Sequence, residues 1–135
     1  MIMITPEMKD RIIKSIIDSP NGTDDRKDVH PKVEAPCFNL SQDAYRMFLK
    51  QLHRMNLLKY EEQNAGRVLL WLNMELYDFH ARGGFVVQEE LFLKNIEKLL
   101  AEIDKLKSEF PEKVDLLANI SSIGSFIMQG LFFLK

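Results

Sequence analysis

Cysteine is nearly absent from the chain, since Cys37 is the only one among 135 residues. A single cysteine can neither close an internal disulfide nor assemble a thiolate metal site within one chain. The first residues, 1–6, contain no basic segment followed by an apolar run, so we expect no secretory signal peptide. Both observations favour a cytoplasmic location.

An excess of charge of either sign is also missing. The chain has 18 Lys and Arg against 20 Asp and Glu, a formal net charge of −2 and a pI near 5.9. Nucleic-acid-binding domains are usually strongly basic, so this total argues against a generic nucleic-acid binder. The charge is nevertheless uneven, because the segment 41–60 contains one acid, Asp43, and four basic residues: Arg46, Lys50, Arg54 and Lys59.

Patterns typical of enzymes and metal sites are absent as well. The three histidines are far apart in the sequence, and none belongs to a close ligand pair. Glu61-Glu62 and Glu89-Glu90 stand in exposed contexts, whereas acid/base catalysis needs burial to shift a pKa. Gly83-Gly84 lacks the further glycine and the Lys-Ser/Thr of a phosphate-binding loop. We therefore predict no catalytic residue, no metal site and no cofactor, and we expect a non-enzymatic protein.

The first helix is predicted from Thr5-Pro6-Glu7, which combines an N-cap, a proline at the first helical position and an acid in the first turn. Apolar residues then recur at helical spacing as far as Ile17, and the Asp-Ser-Pro-Asn-Gly segment at 18–22 ends the helix. The segment 23–36 is polar and includes Pro31 and Pro36. At most one short helical turn is predicted there.

The segment 41–72 is the most informative part of the chain. Ser41 is a predicted N-cap, and the apolar positions after it mark the buried face of a helix: Ala44, Phe48, Leu52 and Met55. On roughly the opposite face, every fourth residue is polar or basic: Gln42, Arg46, Lys50 and Arg54. Two strands, 57–60 and 68–72, flank a polar turn in which Asn64 and Gly66 can adopt positive φ angles. Trp71 alternates with apolar residues in the second strand and is interpreted as core.

This order of elements, completed by a short helix that Asn73 can cap and that ends at Gly83-Gly84, resembles that of winged-helix proteins. The resemblance is to small bacterial and prophage-associated members and covers about the first 85 residues. Leu-His-Arg-Met-Asn-Leu-Leu, at 52–58, stands where those proteins pass from recognition helix to wing, with Asn56 where glycine is common. The resemblance implies a winged-helix domain over residues 1–84 and DNA binding, often by dimers, although many winged helices bind proteins instead.

Residues 85–135 are predicted to form an antiparallel helical hairpin. The first helix has a heptad seam of Phe92, Ile96, Leu99, Ile103, Leu106 and Phe110, and Pro111 ends it. The second helix has a seam of Leu117, Ile120, Gly124, Ile127, Leu131 and Leu134. The fold class expected for the whole chain is therefore α+β and mostly α.

Leu116–Leu134 contains no charged residue, which raises the alternative of a membrane span. Five polar residues dilute its hydrophobicity and no basic cluster flanks it, so we favour a buried helix over a membrane segment. Its apolar residues occupy more than one face, and one partner helix cannot cover them all. Either the first domain or a second subunit has to do so. We expect a homodimer with these interface residues: Ile96, Leu99, Ile103, Leu106, Ile120, Gly124, Ile127 and Leu131.

Two functional hypotheses follow. The leading one is a transcriptional regulator that binds double-stranded DNA through Gln42, Arg46, Lys50 and Arg54 and dimerises through the C-terminal helices. Lys59 and Arg67 would add contacts to the DNA backbone. The alternative is an adaptor in which the same domain binds a protein and the basic stripe only keeps the surface soluble.

Overall fold

The computed structural model of the chain describes residues 4–133, with side chains for residues 4–129. The chain divides into two compact units: the N-terminal unit ends at Phe85, and the C-terminal unit begins at Val86. The described residues are α+β and mostly helical, as predicted, with six α-helices and one three-stranded antiparallel sheet.

The elements of the N-terminal unit begin with a helix and end with a helix. Their bounds are α1 (Pro6–Ile17), β1 (Arg26–Val29), α2 (Pro31–Glu34), α3 (Gln42–Arg54), β2 (Leu58–Glu62), β3 (Val68–Leu72) and α4 (Met74–Ala81). A 3-10 turn, Ala35–Phe38, continues α2, so the helical stretch is longer than the single turn predicted for the segment 23–36. A second 3-10 turn, Asn64–Gly66, joins β2 to β3.

Two of the predicted helix caps are confirmed and one is wrong. The Thr5 hydroxyl accepts a hydrogen bond from a backbone amide in the first turn of α1 at 3.2 Å, and the Ser41 hydroxyl accepts one from the Ala44 amide at 3.1 Å. Asn73 precedes α4, but its side-chain amide donates to the Asn56 carbonyl at 2.9 Å instead of capping the helix. Asn73 therefore connects the start of α4 to the end of the α3 segment.

The strand β1 was not predicted from the sequence. It pairs antiparallel with β3, and the sheet order is β1-β3-β2. The strand is mostly polar, and only Val29 provides an apolar inward side chain. The other inward position is Lys27, which is buried and donates from Nζ to the Ser19 carbonyl at 2.6 Å. The aliphatic stem of a lysine thus replaces the second apolar residue that a strand pattern would need.

In the turn between β2 and β3, the positive φ angles begin one residue later than predicted. Ala65 and Gly66 have φ angles of 63° and 74°, whereas Asn64 does not have a positive φ. Asn64 is the first residue of the 3-10 turn, and the residues with left-handed backbone conformation follow it. A glycine at the second left-handed position fits this backbone without strain.

The core of the N-terminal unit lies between the helices and one face of the sheet. The α3 residues Ala44, Phe48 and Leu52 are buried as predicted. From β3 the residues Val68, Leu70 and Leu72 face this core, and the two residues between them face the other way. Trp71 is one of those two and is only half-buried, so its interpretation as a core residue is wrong.

The C-terminal unit contains two long helices joined by a 3-10 turn. Their bounds are α5 (Gly84–Glu109, whose first two residues belong to the N-terminal unit), the turn Pro111–Lys113 and α6 (Val114–Phe133). Gly124 is buried, and a Cβ atom placed on it would lie 2.9 Å from Leu100 Cδ2 and 3.8 Å from Ile96 Cγ2. The helices therefore approach closely at Gly124, at a point similarly far along both helices from the turn, as in an antiparallel hairpin.

The seam between these helices differs from the predicted one. The observed seam has buried or half-buried residues at helical spacing: Leu93, Ile96, Leu100 and Ile103 on α5, and Leu117, Ser121, Gly124 and Met128 on α6. Of the residues predicted for the dimer interface, Ile96, Ile103 and Gly124 are buried inside the unit and cannot form a surface between copies. Four others are exposed: Leu99, Leu106, Ile120 and Ile127. The Leu131 side chain and Leu134 lie outside the described residues.

Within the single chain most of the described side chains of α6 are exposed, and the expected burial of this helix by a second subunit stays a prediction. Gly124 is its only buried residue among the described side chains, and large apolar residues such as Ile123 and Phe126 are exposed. Among residues 4–133, none of the helices is both long enough and apolar enough to cross a bilayer.

Candidate nucleic-acid interface

The helix α3 has one face in the core and one face in solvent. Four of its exposed residues follow the spacing of a single helical face: Asp43, Met47, Lys50 and Arg54. We call this set the outward face of α3. Gln42 is exposed beside it, in the first turn of the helix. His53 is exposed beside the outward face as well, and its ring nitrogen contacts β2. The outward face therefore has an acid near its start, an apolar residue in the middle and two cations near its end.

Arg46 was predicted to belong to the basic stripe, but it contacts the hairpin instead. Its Nη2 donates to the Gly66 carbonyl at 3.3 Å, and its Nε lies 3.7 Å from Glu62 Oε1. Only 23 % of the Arg46 side chain is exposed. The residue joins α3 to the tip of the hairpin, and its charge is offset by Glu62. Arg46 thus positions the hairpin and is not directed toward solvent.

Tyr60 extends the same contact between α3 and β2. Its hydroxyl donates to Glu62 Oε1 at 2.8 Å, and its backbone amide donates to His53 Nδ1 at 3.2 Å. Burial, followed by the hydrogen bond to Glu62, raises the pKa of Tyr60 to about 12. The Lys50 ammonium lies 5.7 Å from the centre of the Tyr60 ring, within the range of a cation–π contact. These contacts set the angle between α3 and the hairpin.

Lys59 and Arg67 lie on the opposite face of the sheet from α3. Lys59 is paired in register with Trp71, and its Nζ lies 5.2 Å from the centre of the indole ring. Arg67 Nη1 is 3.2 Å from Asp28 Oδ2, in an ion pair that crosses from the hairpin to β1. Because alternate residues of a strand face opposite sides, these two cations do not join the outward face of α3. The structure therefore does not bring all six predicted residues together.

A shallow cavity of about 210 Å³ lies between α1 and α3, along the edge of the outward face. Lys9 and Arg54 contribute cationic groups to its lining, and Ile4, Met47 and Gln51 contribute to the rest. The Lys9 ammonium also lies 4.9 Å from the centre of the Phe85 ring. The cavity thus brings a third cation, Lys9, close to the basic end of α3.

Sequence reasoning missed Lys9 and Met47. The predicted stripe places its residues four apart, starting from Gln42. Because one turn of an α-helix contains 3.6 residues, this interval follows one side of the helix only approximately. A spacing of four, three and four from Asp43 identifies the observed face. The placement of Lys9 depends on the packing of α1 against α3, and no local pattern contains that information.

The other side chains that could bind a metal ion do not cluster among the described residues. Among residues 4–133, no group of three or more His, Cys, Asp and Glu side chains could hold a metal ion. Two further shallow cavities, of about 310 and 380 Å³, flank the β1 segment and are lined mainly by polar residues of the turn at 18–22 and by β1 itself.

Comparisons with known proteins provide no relative for this chain. No protein-family model, no curated protein and no solved structure matches it.

Proposed function

We propose that the N-terminal unit is a winged-helix domain that binds double-stranded DNA, and that the protein is a non-enzymatic transcriptional regulator. The order of elements supports this proposal: α1, β1, α2, α3 and a β2–β3 hairpin with sheet order β1-β3-β2. In a winged helix, the third helix enters the major groove and the hairpin forms the wing. In this chain α3 is that helix, and Arg46 holds the wing against it.

The observation that carries the proposal is the basic end of the outward face. Lys50 and Arg54 are exposed, and neither forms an ion pair within the described residues. Lys9 lines the same cavity as Arg54. Because Lys50 and Arg54 are not paired with acids within the described residues, these two cations can replace the counterions of DNA phosphates. Gln42, in the first turn of α3, is placed to contact base edges.

The residues proposed to contact DNA are therefore fewer than the six predicted from the sequence. Lys50 and Arg54 bind phosphates, and Gln42 contacts bases. Arg46 and Arg67 maintain the wing through Glu62 and Asp28, and Lys59 covers Trp71 on the far face of the sheet.

The experiment compares two double charge reversals of equal size. Lys50→Glu with Arg54→Glu is expected to weaken binding to a random duplex at least tenfold at low salt. It should also make the dependence of log Kd on log salt shallower by about two, because each lost phosphate contact removes roughly 0.9 from the slope. The control, Lys94→Glu with Lys98→Glu, changes two exposed lysines of the C-terminal unit and should leave Kd within about twofold of the unaltered chain.

The melting temperature is measured for both variants, because a folded variant that no longer binds DNA is the informative result. Equal losses of affinity in the two variants would show that only net charge matters and would contradict the proposed interface. Absence of DNA binding by the unaltered chain at low salt would reject the proposal altogether.

One observation favours the second candidate, an adaptor that binds a protein. Met47 lies in the middle of the outward face with 68 % of its surface exposed, and Ile4 lines the adjoining cavity. An apolar centre with polar residues around it is the usual arrangement of a protein-binding surface, and methionine adapts to many partner shapes. Met47→Ala separates the two candidates, because it should leave the Kd for DNA within about twofold if phosphates provide the affinity.

A further inference from the structure

The C-terminal unit has an apolar face that remains open to solvent. Three exposed residues form a stripe along α5, a fourth follows directly after that helix, and four form a stripe along α6. These are Phe92, Leu99 and Leu106 on α5, Phe110 immediately after α5, and Leu116, Ile120, Ile123 and Ile127 on α6. We call these eight residues the open face. Both stripes follow a spacing of three, four or seven residues, so each lies along one side of its helix.

The two stripes lie on the same side of the hairpin. On α5, Leu99 directly precedes Leu100, which contacts the position of Gly124, and on α6, Ile123 directly precedes Gly124 itself. In each helix the open stripe is therefore rotated by about 100° from the seam, in the same sense about the helix axis. Because the helices are antiparallel, equal rotations bring both stripes to one side. The open face is thus a continuous apolar surface that spans both helices.

Two adjacent apolar seams on each helix are typical of a four-helix bundle, in which every helix contacts two neighbours. In this chain one seam is closed by the other helix of the hairpin, and the second seam has no partner among the described residues. We infer that the open face binds the open face of a second copy of this chain, so that two hairpins form a four-helix bundle. The inference goes beyond the proposed DNA binding, because it holds whether or not the N-terminal unit binds DNA.

The size of the open face agrees with this partner. Its residues are 38 to 62 % exposed, and eight such residues leave roughly 700 Å² of surface in water, a little less than the ~800 Å² that each partner contributes to a standard interface. The largest apolar patch on a typical monomer is smaller, roughly 300 to 600 Å².

The charges around the open face favour a second copy over a lipid surface. No charged residue occurs from Leu116 to Leu134. A helix that lies on a membrane usually has lysine and arginine beside its apolar side, where they meet anionic headgroups. The α6 part of the open face has no such cations, and the exposed charges of α5 are of both signs, as at Lys98 and Glu102. An apolar surface is instead complementary to itself, as a two-fold symmetric interface requires.

The test uses opposite charges on the open face of the full chain. The acidic variant has Leu99→Glu and Ile120→Glu, and the basic variant has Leu99→Lys and Ile120→Lys. Both positions are exposed, so charged side chains are compatible with the folded hairpin. Light scattering should give a dimer, twice 15.8 kDa, for the unaltered chain and a monomer for each variant alone. An equimolar mixture of the two variants should return to the dimer mass, because opposite charges then face each other.

The control variant, Ala101→Glu, places a charge on an exposed residue of α5 outside both seams and should remain dimeric. A monomeric unaltered chain would overturn the inference, and so would dimers that persist in both charged variants. Failure of the mixture to recover the dimer would also contradict it, since a partner other than a second copy would give no such rescue. If the unaltered chain floats with anionic vesicles and the acidic variant does not, the open face binds a membrane surface instead of a second copy. None of these measurements includes DNA, so they do not depend on the proposed DNA binding.

Discussion

The N-terminal and C-terminal units distribute their apolar side chains in opposite ways. Among the described side chains, the N-terminal unit buries 18 hydrophobic residues and leaves three large ones exposed. The C-terminal unit buries three and leaves eleven large ones exposed. A three-stranded sheet covered by helices can enclose a core, whereas two helices alone provide only one shared seam. The N-terminal unit therefore encloses its core within one chain, whereas the C-terminal unit leaves most of its large apolar side chains exposed.

The largest expected effect compares two phenylalanines, one from each unit. Phe48 is 1 % exposed and Phe126 is 76 % exposed. Phe48→Ala should lower the free energy of unfolding of the N-terminal unit by about 3 to 5 kcal/mol, the range for removing a large buried aromatic. Phe126→Ala should change the free energy of unfolding by less than about 0.5 kcal/mol. Urea titrations followed by fluorescence of Trp71, the only tryptophan, report the first unit, and helical circular dichroism reports the second. Similar losses for both variants would contradict the comparison.

A smaller effect is expected at Gly124, where the two helices of the C-terminal unit meet. A larger side chain there would collide with Leu100 and Ile96 of the same chain. Gly124→Leu should therefore destabilise the hairpin itself, by about 1 to 3 kcal/mol, as overpacking usually does. Gly124→Ala should be milder, because its nearest neighbour is the flexible end of Leu100. Thermal unfolding measured by circular dichroism checks both. Partial rescue of Gly124→Leu by Leu100→Ala is expected, and a stable Gly124→Leu hairpin would exclude the close approach.

Gly84, beside the boundary between the units, should give an effect of about 1 to 2 kcal/mol. Its φ is +66°, and a Cβ atom on it would overlap the carboxylate of Asp10. That carboxylate accepts a hydrogen bond from the Phe85 amide at 2.7 Å. Gly84→Ala should displace Asp10 and lower the melting temperature of the N-terminal unit, monitored by Trp71. An unchanged melting temperature would show that neither the backbone angle nor the Asp10 contact matters for stability.

The smallest effect concerns alkaline pH. All three tyrosines belong to the N-terminal unit, and burial is the main reason why the pKa values of Tyr45, Tyr60 and Tyr77 are raised. The folded chain keeps these protons while the unfolded chain loses them near pH 10, so stability is retained below pH 10 and declines from about pH 10 towards 12. Tyr60→Phe should make this decline shallower, as measured by melting temperature from pH 8 to 11. An identical decline in Tyr60→Phe would show that Tyr60 does not contribute.

Local patterns predicted the elements well where they depend on nearby residues. The caps at Thr5 and Ser41, the buried face of α3 and the hairpin all depend on residues close in sequence, and the structure contains them. The strand β1 depends on pairing with β3, which is about 40 residues away, and its inward lysine removes the apolar alternation that identifies a strand. Tertiary pairing thus forms a strand that the local sequence does not indicate.

The candidate site and the helical seams were harder to predict, for related physical reasons. A list of cations does not show which ones are already neutralised, and Arg46 and Arg67 find acids on β2 and β1. In the C-terminal unit, apolar residues occur at neighbouring positions such as Leu99 and Leu100, so two heptad seams fit the sequence equally well. Only the packing of one helix on the other shows which seam is closed.

The most direct test of the contrast between the units is amide hydrogen exchange of the full chain over a dilution series. The account predicts that protection of amides in β3 and α3 is independent of protein concentration, because that core is complete within one chain. Protection in α5 and α6 should fall as the protein is diluted and the two copies separate. Protection of α5 and α6 that stays constant from high to low concentration would contradict the claim that the C-terminal unit needs a second copy.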